Sequence, residues 1–129
     1  MSGAFIVLSM LFMHIADDWH LQGNGVLALM KQRSWWLEHA PDPMYKHDYL
    51  MALAMHSLSW SFLIMLPIAI AKGFDVGAWF VIVFLWNAAV HGVIDDLKAN
   101  RKKINLVFDQ TFHLIQIGAT AALYLRGLI

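Results

Sequence analysis

Cysteine is absent from the 129 residues, which excludes disulfides and thiolate metal sites alike. Charge is scarce as well. Asp, Glu, Lys and Arg make up 14% of the chain, against about 25% in an ordinary soluble domain. Nine basic residues balance nine acidic ones, so the chain has no electrostatic footprint for nucleic acid and no such partner is expected. Internal repeats, low-complexity segments and any stretch polar enough to form a separate soluble domain are also missing. The start of the chain lacks the basic region of a signal peptide. Its apolar run closes in Asp17-Asp18-Trp19-His20, and it reads as a retained first membrane span.

What is present is apolar length. Hydrophobic residues make up 60% of the chain and occur in blocks of membrane-spanning size. The expected fold is therefore all-α, a single membrane domain over residues 1–129. It comprises a bundle of four transmembrane helices, spanning about 4–22, 49–71, 76–98 and 104–125, plus one short interfacial helix at about 26–39. That interfacial segment places Lys31, Gln32, Arg33 and Ser34 between apolar positions, too polar to cross a bilayer, while Trp35 and Trp36 suit the headgroup level. Ala40-Pro41-Asp42-Pro43 reads as a turn, Pro67 as a kink in the second span, and Lys72-Gly73-Phe74-Asp75 as a tight connection.

Orientation follows from the loops. One face carries Lys31, Arg33, Lys46, Lys98, Arg101, Lys102 and Lys103, and the other only Lys72 and Arg126. The positive-inside rule puts the first face in the cytoplasm and both termini outside it, in a bacterial inner membrane.

The polar residues inside the spans follow a pattern. His14 precedes Asp18 by four residues, His91 precedes Asp95 by four, and Asp109 precedes His113 by four. Residues four apart share a helix face. With His56, these pairs put a histidine from every span roughly 8–13 Å inside the same, cytoplasmic leaflet, at 1.5 Å rise per residue. A lone histidine on an apolar helix is usually structural. Four histidines and three aspartates at one depth need a joint explanation, because uncompensated carboxylates there cost several kcal/mol each.

Neutral imidazole and carboxylate form an ordinary ligand set for a divalent transition metal. Zinc is the first choice, with one or two ions held by His14, Asp18, His56, His91, Asp95, Asp109 and His113. A metal-free network of ion pairs or a proton relay is the competing reading. Asp17 and Asp96 flank the ligands off their register, as further ligands, a catalytic base or surface caps. Lys98 falls on the His91 face, to hold an anionic group or to snorkel. Gln22 and Gln110 read as interfacial residues or as supports for the ligands, and Asn87 and Gln116 as interhelical hydrogen-bond residues. The methionine and tryptophan content reads as lipid-facing packing.

The set His14-x-x-x-Asp18-x-x-Leu21-Gln22, His56, His91-x-x-x-Asp95-x-x-Lys98 and Asp109-Gln110-x-x-His113 resembles a family of small bacterial and phage membrane proteins. That family is catalogued as a domain of unknown function (number 3307). The resemblance covers nearly the whole chain and implies a helical membrane fold and this motif set, but no reaction. The extra acids of Asp17-Asp18 and Asp95-Asp96 depart from the pattern. More distantly, the chain is similar to membrane-bound metal-dependent hydrolases. Lipid phosphatases share a His-x-x-x-Asp element, but their Ser-Arg and Pro-Ser-Gly-His elements are absent here.

Two functions follow as expectations. One is metal-dependent hydrolysis of a lipid or lipid-linked phosphate or ester, with the metal activating water, Asp96 or another spare aspartate as general base, and Lys98 steadying the anionic head. The other is a non-catalytic protein whose metal or polar cluster staples the bundle and which acts on a partner membrane protein. The expected partners are membrane lipid and a lipid-linked substrate, with oligomerisation open. Ion or proton translocation ranks third, since the outer halves of the spans carry almost no ionisable residues.

Overall fold

The structure, a computed structural model, describes residues 2–21 and 25–129. Among them there is no strand. Six α-helices run in the order α1 (Gly3–Ile15), α2 (Val26–Met30), α3 (Arg33–His39), α4 (Asp48–Ala71), α5 (Ala78–Ala99) and α6 (Leu106–Leu125). The α1 helix continues into a π-helical turn, Ala16–Leu21, and a 3-10 turn, Pro43–Tyr45, leads into α4.

Local chemistry sets several boundaries. The Ser2 and Asn105 side chains accept from Phe5 N and Phe108 N, satisfying amides that the first turns of α1 and α6 leave free. After α4, Gly73 takes φ 65, and Phe74 N closes on Ala69 O at 2.8 Å, a left-handed termination that glycine adopts without strain.

Four long helices close a ring in the order α1, α4, α5, α6, with α2 and α3 packed on α4 at one end. Three segments, Gly3–Leu21, Pro43–Ala71 and Ala78–Ala99, are long and apolar enough to cross a membrane. The α6 helix, with 20 residues, is not among them, because Asp109, Gln110, His113 and Gln116 dilute its apolar content. Large apolar side chains cover the outside of the ring, among them Phe12, Phe62, Trp79 and Trp86, each more than half exposed. A soluble protein would bury such residues, whereas a lipid solvent favours them.

The interior divides in two. Ile6, Met10, Trp60, Ile64, Met65, Ile68, Ile117 and Ala121 form an apolar core. Beyond it, toward the end where α2 and α3 pack, the interior is polar. The boundary is bridged by Asn87, which donates to Thr120 Oγ1 at 2.8 Å, and by Gln116, which donates to Asn87 O at 3.1 Å, so both are interhelical hydrogen-bond residues. Met10, Met65 and Trp60 are fully buried, which corrects the reading of these residue types as lipid-facing. Met and Trp fill irregular interior space as readily as they meet lipid.

The interfacial segment also differs from expectation. It is two short helices broken at Lys31-Gln32. Asn100, at the end of α5, holds the break by donating to Lys31 O at 3.1 Å and accepting from Arg33 N at 2.7 Å.

Candidate metal centre

Helix α5 supplies His91 and Asp95, and α6 supplies Asp109 and His113. All four are fully buried. His56 enters from α4 and is buried too, and the Asp18 side chain, from the π-turn, is 6% exposed. His56 Nε2 lies 3.0 Å from Asp95 Oδ2, 3.5 Å from Asp18 Oδ1 and 3.0 Å from His91 Nε2. His113 Nε2 lies 3.4 Å from Asp95 Oδ1 and 3.5 Å from Asp109 Oδ1. His91 Nδ1 faces His113 Nδ1 at 3.2 Å.

Three sets of donor atoms can each hold a metal ion: Asp18, His56 and His91; His91, Asp95 and His113; Asp18, Asp109 and His113. Within each set the donor atoms lie within 4.8 Å of one another. Every two sets share a member, so six residues form one continuous candidate ligand field. Asp95 Oδ1, Asp109 Oδ1 and His113 Nε2 are buried without a hydrogen bond, although they face each other. Buried polar atoms left unpaired cost about 1–3 kcal/mol each. A cation held among these three atoms would satisfy them together.

His14 stands apart from these three sets. Trp60 Nε1–H donates to His14 Nδ1 at 2.8 Å, and an indole nitrogen can only donate, so Nδ1 accepts. The other nitrogen, Nε2, meets Gln110 Oε1 at 3.1 Å. Gln110 in turn donates to Asp18 Oδ2 at 2.8 Å and Asp109 Oδ2 at 3.1 Å. His14 therefore reaches Asp18 through Gln110. With both ring nitrogens engaged, it supports the candidate ligands through Gln110. Gln22 lies outside the described residues.

The π-turn changes what neighbouring residues do. Hydrogen bonds from i to i+5 widen the turn and shift the register of the residues that follow. Asp17, expected as a further ligand, a base or a surface cap, is fully buried and accepts from Ser59 Oγ at 2.7 Å, with Oδ2 unpaired, which corrects the surface reading. Asp96 faces the other way. It accepts from Asn100 Nδ2 at 2.9 Å and Arg101 Nε at 2.7 Å, on the side of α5 turned away from the ligand field. Lys98 bonds Asp109 Oδ2.

The sequence reading missed Lys31. Its Nζ reaches Asp95 Oδ2 at 2.7 Å and lies 3.2 Å from His56 Nε2, so two ammonium groups, and not Lys98 alone, accompany the carboxylates. Nothing local marked it, since Lys31 is the first of four consecutive polar residues, Lys31 to Ser34, in the interfacial segment. Trp60 was missed too, although it follows His56 by four residues and shares its helix face. Its ring stacks on His91 at 4.2 Å and 18°.

No family model, curated protein or solved structure matches the chain.

Proposed function

We propose that the chain is a four-span membrane protein that binds a divalent transition metal, zinc first, through Asp18, His56, His91, Asp95, Asp109 and His113. The carrying observation is the ring of three overlapping ligand sets, with three facing donor atoms left unpaired in the buried interior. The basic loops put that end of the bundle in the cytoplasmic leaflet, with both termini outside.

The reaction that suits this site is hydrolysis of a lipid or lipid-linked phosphate or ester. A metal held there would supply Lewis acidity at the scissile group and make water nucleophilic near neutral pH. The remaining roles fall to the chain's own groups. Lys98 is 27% exposed at the side chain, marking the edge of the buried field at which an anionic head can approach. Asp17 is the spare carboxylate for general-base work, being buried, half unpaired and outside the ligand sets. Asp96 is replaced in that role because it is bound to Asn100 and Arg101.

A second reading is favoured by one observation, the lysines. Lys31 on Asp95 and Lys98 on Asp109 already offset two carboxylates. On that reading the cluster, with or without metal, is a staple for a non-catalytic protein acting on a membrane partner.

Elemental analysis of protein purified in detergent without chelator tests the metal. One to two transition-metal ions per chain are expected, lost when His91 and Asp95 are both changed to alanine. Metal-free protein would sink the first reading and leave the staple.

A further inference from the structure

Outside the ligand field, two cavities meet on the opposite face of the α4–α5 pair. The first is an apolar groove of about 520 Å³ open to the bundle exterior. Leu50, Leu85, Val93 and Leu97 stand along it, and Ser57 and Gly92 close its floor. A Cβ on Gly92 would lie 2.8 Å from Ser57 Oγ, so the helices touch there and the groove does not break through into the ligand field. The second cavity, of about 480 Å³, is polar. Arg33, Lys102, Tyr49 and Ser34 line it, together with Asp96 and Arg101, which it shares with the groove.

The shared residues make the two cavities one amphiphilic trough. Its apolar part lies along the membrane-spanning lengths of α4 and α5, and its polar part lies where α3 and α4 begin and α5 ends. The charges at the polar end do not cancel. Asp96 pairs with Arg101 at 2.7 Å, which leaves Arg33 and Lys102 as cations facing the cavity. Lys102 is held at φ 52, a left-handed conformation that a non-glycine residue seldom takes and that clusters at ligand clamps. Tyr49 and Ser34 add hydroxyl donors.

We infer that this trough binds a phospholipid with an anionic headgroup, one acyl chain lying in the α4–α5 groove and the phosphate held by Arg33 and Lys102. Charge complementarity selects the occupant. A zwitterionic lipid would bring its own cation against Arg33 and Lys102, whereas an anionic one brings only the counter-charge. The site is separate from the His/Asp field and does not depend on the metal.

The test uses the full chain in detergent, titrated with phosphatidylglycerol or with phosphatidylcholine of the same acyl chains. Melting temperature and native mass spectrometry are the readouts. One phosphatidylglycerol is expected to be retained and to raise the melting temperature, with phosphatidylcholine doing neither. Arg33→Gln with Lys102→Gln should weaken phosphatidylglycerol roughly 10- to 30-fold, the loss expected for two cations at an anionic lipid. These side chains are exposed, so the lipid-free melting temperature should not move. Ala89→Phe, filling the groove from an exposed position, should weaken binding with both cations intact. Glycerol phosphate, which has the head without the chains, should give no shift at equal concentration. Equal effects of the two lipids, phosphatidylglycerol binding untouched by either variant, or glycerol phosphate binding as tightly as the lipid would each overturn the inference. Repeating the titration with chelator present should change nothing, which separates this outcome from the fate of the metal reading.

Discussion

Lys31 Nζ lies 2.7 Å from Asp95 Oδ2, joining the break between α2 and α3 to the centre of the His/Asp cluster. Asp95 is fully buried and the Lys31 side chain is 12% exposed, so the pair is largely shielded from water. Removing one partner of such a pair strands the other charge. Lys31→Met is expected to cost about 3 kcal/mol, toward the low end for a buried pair because the ammonium keeps some exposure. Added Zn²⁺ should recover much of this loss, since a metal on Asp95 supplies the missing positive charge. Thermal melts with and without Zn²⁺ check both statements. A variant that melts like the parent would show that the pair holds nothing.

His14 and His113 are expected to behave differently although each begins as one histidine among four. His14→Gln should keep the metal content, because Trp60 and Gln110 take both of its ring nitrogens. His113→Gln should lose metal, because His113 belongs to two of the three ligand sets. Trp60→Phe keeps the ring against His91 but removes the donor to His14. About 1–2 kcal/mol of stability should go, with metal retained. Metal analysis and melting curves on the three variants decide the matter.

The contrast shows how far the sequence could be read. The His91–Asp95 and Asp109–His113 pairs were legible because an uninterrupted α-helix fixes the four-residue relation, and both pairs stand within 4 Å. His14 and Asp18 follow the same spacing, but the π-turn after Ile15 alters the winding between them, and no residue in Ala16–Leu21 announces it. Lys31 was hidden for another reason. The break that directs it inward is held by Asn100, 69 residues away, a contact no local pattern contains. Trp60 was within reach, one helical turn beyond His56, had tryptophan not been assigned to lipid by type. The expectation of four spans divides in the same way. Three helices carry their apolarity in their own sequence, while α6 spends part of its length on the ligand field.

Topology can be checked with the cysteine-free sequence itself, since any introduced cysteine is unique. Asp75→Cys, in the α4–α5 connection, should react with a membrane-impermeant thiol reagent in intact cells. Lys102→Cys, beyond α5, should react only after the membrane is opened. The reverse pattern would move the ligand field to the outer leaflet and put both termini in the cytoplasm.

Hydrolase and staple part company over Asp17. Asn is nearly the same size, and its amide oxygen can still accept from Ser59, so Asp17→Asn should leave the fold intact. Asp17 belongs to none of the three ligand sets, so the metal should stay as well. What the substitution removes is a group able to take a proton. Asp17→Asn is therefore expected to keep the melting temperature and metal content while abolishing function in a complementation assay. Lys98→Ala gives the comparison. It uncovers the buried carboxylate of Asp109, and stability and function should fall together. If Asp17→Asn instead complements fully, and function follows melting temperature across every change at the ligand field, no residue there has a duty beyond holding the bundle. The metal would then be a staple, and the search for an activity would move from the ligand field to the membrane partner.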